Sequence, residues 1–345
     1  MKVVECVPNF SEGRDQRVIR LIADAVKGVP GVILLDVSSG HATNRTVYTF
    51  AGEPQAILEA AFAAVRVGCT LIDMSSHHGA HPRLGACDVC PFVPIMGVSM
   101  EECAELSRNL GKKIGTVLGI PVYLYARAAA VPARNNLEDI RTGEYEGLAA
   151  KLLDHAWKPD YGPSEYTGKV RRSGAVITGA REFLLAYNIN LNTRDRRIAT
   201  QIAGEIREKG RIVRDEHGNE VRVPGRLKFC KAIGWYVEDY GRAQVSVNLT
   251  NYKITNLHHA YEAAGEVAAQ LGVRVTGSEI VSLVPKEALI QSGLYYLKKE
   301  GEDEILDEKI IIQSAVESLD LNDVAQFIPD EKIIEYRIKK EFANR

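Results

Sequence analysis

The chain has no uninterrupted run of 18 apolar residues, so it offers no stretch of the length a membrane-spanning helix needs. It also lacks a surplus of positive charge. Its 43 Lys and Arg stand against 45 Asp and Glu, giving a net charge of −2 and a pI near 6.5. No bulk field exists to hold nucleic acid or an anionic membrane, although a local basic pocket for a small anion is compatible with that balance. The first residues, MKVVECVPNFSEG, reach Pro8 and Glu12 before a signal-peptide apolar stretch can form, and the expected compartment is the cytoplasm. Cysteine is sparse, and Cys6, Cys69, Cys87, Cys90, Cys103 and Cys230 suit that compartment as reduced thiols. Only Cys87 and Cys90 form a CxxC, and no second CxxC completes a structural zinc site. The pair reads as residues of an extended segment running into Pro91, and no metal is expected.

The remaining composition is ordinary, with 46% hydrophobic and 26% charged residues. A length of 345 residues favours two hydrophobic cores over one. In chain order, VVECVPNF (3–10) reads as a strand and SEGRDQRVIRLIADAVKG (11–28) as a helix capped by Ser11 and ended by Gly28. VILLDV (32–37) and RTVYTFAG (45–52) are strands, EPQAILEAAFAAVRVG (53–68) a helix with Pro54 in its first turn, and CTLIDM (69–74) a fourth strand. The second half repeats that order. EFLLAYNINL, a helix opening on RDRRI, the strands LKFCKAIGWYVED and RAQVSVNLTNY, the helix NLHHAYEAAGEVAAQLG and VRVTGSEIVSLVP follow one another, with SLVP where the first half has PFVP. The predicted class is α+β: duplicated ferredoxin-like β-α-β-β-α-β units, with two facing sheets and the helices outside. The expected subdomains are 1–179 and 180–345. Residues 156–181, rich in Pro, Gly and Ser, read as the connection between them. Residues 301–345 offer one short helix (314–327) and a closing strand, IIEYRI.

Chemistry concentrates in LIDMSSHHGAHPRLGACDVCPFVP (71–94), where His77, His78, His81 and Arg83 lie between apolar runs. Such a loop holds polar side chains on a rigid base. Pro82 biases the backbone of His81 toward extended conformations and so fixes where its ring points. His77 and His81 have zinc-binding spacing only on a helix, which Gly79 and Pro82 oppose, so His77 and His78 read as pocket lining or as partners of neighbouring strands. Asp36, at the end of VILLDV, either supports an imidazolium or caps a loop.

Several segments together resemble a known family. VECVPNFSEGR, LLDVSSGHATNRTVYTFAG, LIDMSSHHGAHPRLGACDVCPFVP, IRTGEYEGL, WKPDYGP, TGAREFLLAYNINL and KAIGWYVED are similar to the formiminotransferase domain of formiminotransferase-cyclodeaminases and to single-domain microbial glutamate formiminotransferases. The resemblance runs over residues 1–338. It implies transfer of the formimino group of N-formimino-L-glutamate to tetrahydrofolate as co-substrate, in histidine degradation, by a homodimer with a folate tunnel and no metal. In the bifunctional enzymes a cyclodeaminase part follows this domain. The family's catalytic histidine falls on His81 of HPRLGA, and its folate-contacting segment falls on 162–174, here Gly162, Pro163, Ser164, Glu165, Tyr166 and onward to Gly174. The sequence departs from the family pattern at Ser38, where relatives carry an acidic residue, at Cys87, where they carry an aliphatic one, and in TGKVRRS, which is a few residues longer.

The implied reaction has its own requirements. A secondary amine attacks an amidine-type carbon, and the glutamate nitrogen then leaves as an amine. One proton must be removed and another delivered, which a single histidine does near neutral pH, for about 10²- to 10⁴-fold in rate. His81 is the candidate. Donor and acceptor both carry carboxylates, so arginines should converge on them. Arg45 and Arg83 are first choices and Arg226 a third. A formyl transferase using N-formylglutamate and a folate-binding protein without turnover are the competing readings.

Overall fold

A computed structural model describes residues 2–41, 43–302 and 307–343. The chain divides into two compact units, Met1–Arg181 and Glu182–Arg345.

In the first unit, β1 (Val3–Cys6) and β2 (Asn9–Phe10) form one interrupted strand between β4 (Arg45–Gly52) and β5 (Cys87–Met96), with β3 (Val32–Gly40) on the outer side of β4. These pairings are antiparallel. β7 (Val176–Ala180) joins β5 in parallel, and β6 (Val122–Ala126) joins β7 in parallel. Helix α1 (Gln16–Lys27) is capped by Asp15, whose side chain accepts from Arg17 and Val18 N–H. The expected cap, Ser11, instead donates its hydroxyl to the Gly85 carbonyl. α2 (Pro54–Leu71) and α3 (Met100–Lys113) complete the helices on this face, whose core holds Phe10, Tyr48, Phe50, Ile57 and Phe92 at full burial.

One expected strand is a helix end. CTLIDM does not pair in the sheet: Cys69, Thr70 and Leu71 finish α2, and Thr70 Oγ1 donates back to the Arg66 carbonyl at 2.7 Å. The fourth strand is the later run CDVCPFVPIM. A short apolar run satisfies a buried helix as well as a strand, and here the preceding helix claims it.

The segment read as a connection also has structure. It supplies α6 (Gly168–Ser173), capped by Thr167, and then β7. With α4 (Leu137–Arg141) and α5 (Leu148–Leu153), it covers the sheet's second face in a core of Leu84, Val89, Tyr123, Ile140, Leu148, Val170 and Ile177.

The second unit runs β8 (Leu185–Leu191), α7 (Arg196–Ile206), the hairpin β9 (Arg211–Arg214) and β10 (Glu220–Val223), β11 (Cys230–Val237), β12 (Arg242–Leu249), α8 (Leu257–Gln270) and β13 (Val275–Ile280). The four long strands form one antiparallel sheet, β11-β12-β8-β13. α9 (Lys286–Lys299) and α10 (Glu308–Ser318) pack together, and α11 (Pro329–Lys332) and α12 (Ile334–Ala343) follow. Of IIEYRI only Ile333 pairs as a strand does, in a parallel bridge with Val284, and the rest begins α12. Ile334 and Ile338 fall four apart on one buried side.

Candidate active site

The loop before β5 is tied to the β3–β4 turn. Asn44, in the left-handed conformation at φ 47°, accepts from Gly13 N–H and donates to the His78 carbonyl at 3.0 Å. Its own carbonyl accepts from His77 Nε2–H, also at 3.0 Å. Pinning His77 and His78 in this way places the next residue of β4, Arg45, against His81.

The hydrogen bonds fix the tautomer of His81. Nδ1 lies 2.6 Å from the Pro82 carbonyl oxygen, which can only accept, so Nδ1 carries the proton. Nε2 then presents a lone pair, and Arg45 Nη1–H donates to it. Burial first, and then the charges of Arg45 and Arg141, push the imidazole down to about 4, so it is neutral at physiological pH. Asp88 works against that shift. This carboxylate is 1% exposed, accepts from Leu84 N–H at 2.8 Å and pairs with the Arg141 guanidinium. Arg45 is half-buried and, among the described residues, pairs with no carboxylate. Two guanidiniums, one carboxylate and a neutral imidazole leave one uncompensated positive charge. A guanidinium left without a carboxylate has the charge and the forked donors to pair with one.

The other candidates lie as follows. Arg83 is buried and already neutralised, with Glu146 at 2.8 and 2.6 Å and Glu144 at 3.0 Å, while its Nε–H points at His77 Nδ1 at 3.4 Å. It forms one wall of an open cavity of about 460 Å³ lined also by His78, Gly79, Gly143, Glu144 and Glu146. Of segment 162–174, Gly162 packs against Ile120 and Pro121, and Tyr166, through Tyr145, and Gly174 reach the loop that carries His81 and Arg83. Gly174, at φ 65°, bridges Gly85, where a Cβ on Gly174 would lie 2.4 Å from Gly85 Cα. Tyr166 donates to the Tyr145 hydroxyl at 3.4 Å, and Tyr145 N–H donates to the Arg83 carbonyl at 2.9 Å. Gly162, Pro163, Ser164 and Glu165 precede that contact on the same strap. Arg226 belongs to the second unit, where it pairs with Glu266 at 3.0 Å. Asp36 is exposed on β3 opposite Thr49. The carboxylate near His81 is Asp88, which the sequence reading missed together with Arg141. The available signal was a charged residue inside the apolar run ACDVCPFV. Cys87 and Cys90 are buried in β5, with Cys6 Sγ 3.5 Å from Cys90 Sγ, and burial pushes the Cys6 and Cys87 thiols up. Among the described residues no three His, Cys, Asp or Glu side chains gather as a metal-binding group.

A mixed α/β chain here mounts a neutral histidine beside two guanidiniums, one of them paired with a carboxylate. Comparison with known proteins gives the family. The formiminotransferase domain's N-terminal subdomain matches residues 3–181, and the formiminotransferase domain matches residues 186–339; the chain belongs to the formiminotransferase domain family. It is 48% identical over 341 residues to the formimidoyltransferase-cyclodeaminase of Dictyostelium discoideum, covering 99% of this chain but 61% of that protein. It is 45% identical over 314 residues to the glutamate formimidoyltransferase of Thermoplasma acidophilum, covering 90% of this chain and 98% of that one. The corresponding figures for the Streptococcus pyogenes serotype M1 glutamate formimidoyltransferase are 44% over 302 residues, 88% and 95%. The chain spans about three fifths of the length of the cyclodeaminase-bearing relatives.

Proposed function

We propose that this protein transfers the formimino group of N-formimino-L-glutamate to tetrahydrofolate, giving 5-formiminotetrahydrofolate and L-glutamate, with His81 as general acid and base. The observation that carries the reading is the fixed tautomer of His81 beside two guanidiniums. The names of the two microbial relatives, which the chain covers almost end to end, point the same way.

Tetrahydrofolate, when bound, supplies the attacking secondary amine. His81 Nε2 takes the proton that this amine loses and returns it to the departing glutamate nitrogen. Arg45 and Arg141 receive a substrate carboxylate, and Asp88 holds Arg141 in place. Segment 162–174 contributes the folate contacts from beside the cavity. The repeated strand and helix order supports reading the two units as copies of one ferredoxin-like plan. A cytoplasmic homodimer acting in histidine degradation completes the proposal; among the described residues no helix is long and apolar enough to cross a membrane, and the six cysteines are free.

A spectrophotometric assay with tetrahydrofolate, run in parallel with the formimino and formyl donors, tests it. Turnover with the formimino donor alone is expected; turnover with N-formylglutamate alone makes the protein a formyltransferase. His81→Ala is expected to fold, to bind tetrahydrofolate and to lose about 10²-fold or more in turnover. Near-normal turnover in that variant removes His81 from the chemistry.

A further inference from the structure

We infer that the donor's own carboxylate switches on the base: seated across Arg45 and Arg141, it draws the Arg45 guanidinium off His81 Nε2 and frees that lone pair. The inference rests on the reading of His81 as the proton shuttle.

The argument starts from donor and acceptor chemistry. A guanidinium only donates and a carbonyl only accepts, so both ring nitrogens of His81 are committed, Nδ1–H to the Pro82 carbonyl and the Nε2 lone pair to Arg45. In that arrangement the shuttle cannot accept a proton without displacing a cation. The groups facing the ring are Arg45 from β4, Asp88 from β5 and Arg141 from α4, and together they sum to one positive charge. A single carboxylate cancels it. Arg45 has no competing carboxylate partner among the described residues, and Arg141 keeps donors beyond those given to Asp88. Exchanging one bond to a neutral imidazole for a bidentate pair with a carboxylate favours movement of Arg45 toward the ligand.

Two consequences follow. The base is exposed only when an acidic donor is present, so the site does not spend its shuttle on water or on a formamidine without a carboxylate. Cancelling that one positive charge also raises the proton affinity of His81 toward the working pH, where a shuttle is most effective. The proton balance closes within the site. As the new carbon–nitrogen bond forms, His81 Nε2 takes the proton from the attacking amine. As the bond to the glutamate nitrogen breaks, the same proton goes to that nitrogen, and no other reactant is needed.

The test is a histidine side-chain NMR titration of the whole protein, with the His81 signal assigned by its loss in His81→Ala. Free protein is expected to show His81 titrating near 4. L-glutamate at saturating concentration should move that titration up by about one pH unit or more. In Arg45→Ala the free protein should already titrate higher, and L-glutamate should add less. Arg45→Lys, which keeps the charge and guards against a folding defect, should titrate nearer the wild type. If L-glutamate leaves the His81 titration where it was, the inference is overturned, whether the ligand fails to bind or binds elsewhere. The transfer assay separates the two failures: turnover without the NMR response sinks only the switch, and no turnover sinks the assignment of function.

Discussion

Arg83 shows how far a single residue's role can be read from its neighbours. Its position in HPR, beside His81, made it a candidate ligand for a substrate carboxylate, yet its guanidinium is 8% exposed and already holds two glutamates. Glu144 and Glu146 are themselves 43% and 62% exposed, so water takes up part of the loss when the arginine is removed. Breaking a fully buried pair costs about 3–5 kcal/mol, and this half-wet triad should cost about 1–3 kcal/mol. His77 would keep the Asn44 carbonyl but lose the donor to its Nδ1. Arg83→Ala should therefore lower the thermal midpoint measurably while the donor KM changes little. An unchanged melt with a raised donor KM would return Arg83 to the substrate. The loop itself was legible, since three histidines, an arginine and a proline between apolar runs stand out. Asp88 and Arg141 were not, because their significance lies in a pairing across 53 positions of sequence, which no local pattern carries.

At the scale of elements, the boundary between α2 and β5 decides where His81 stands. Sequence periodicity placed a strand at CTLIDM, but the run is short and apolar and the helix before it continues through Gly68, which sits against the Phe10 ring. The strand that pairs there is CDVCPFVPIM, the extended segment that Cys87 and Cys90 open and that runs into Pro91. Residues 156–181 were read as a connection because Pro, Gly and Ser dominate their start; their end, AVITGA, is a parallel strand beside β5. That misreading hid the junction that clamps the site. Leu84 and Ala86 exchange backbone hydrogen bonds with Ala175 and Ser173, at 3.2 and 2.7 Å, and Gly85 faces Gly174 between them. A methyl on Gly85 would lie 2.2 Å from the Ala175 carbonyl oxygen and 2.7 Å from its nitrogen, both backbone atoms that cannot turn aside. Gly85→Ala should thus force the His81 loop and α6 apart, costing about 2 kcal/mol or more and lowering turnover with it. Urea denaturation at neutral pH checks this, and a wild-type midpoint with wild-type turnover would show that the junction yields to a methyl at no cost.

For the molecule as a whole, the mixture of strands and helices was visible because period-2 and period-3.6 patterns mark both halves. The distribution of its neutral histidines was not visible, since it depends on burial. His81 and His258 are each pushed down to about 4, the first by burial and two arginines, the second by burial and His259, and His77 and His259 are lowered as well. His258 lies between α8 and α9, with Nδ1 at 3.1 Å from Ser292 Oγ; that hydroxyl already donates to the Ala288 carbonyl, so the imidazole donates to it. In the unfolded chain every one of these rings protonates near 6.5. As pH falls from about 6.5 toward 4, the unfolded chain therefore takes up protons that the folded chain refuses, and stability drops across that window. Glu335, whose carboxyl burial raises, works in the opposite direction and offsets part of the loss. After allowance for solvent screening, His81 and His258 together should cost about 2–3 kcal/mol between pH 6.5 and 5. Thermal melts at pH 7 and pH 5 should show that loss, and His258→Gln, which cannot titrate, should show a smaller one. A midpoint that stays level from pH 7 to 5 in the wild-type protein would mean that these imidazoles take up protons in the fold as readily as in water, and the closed surroundings assigned to them would be wrong.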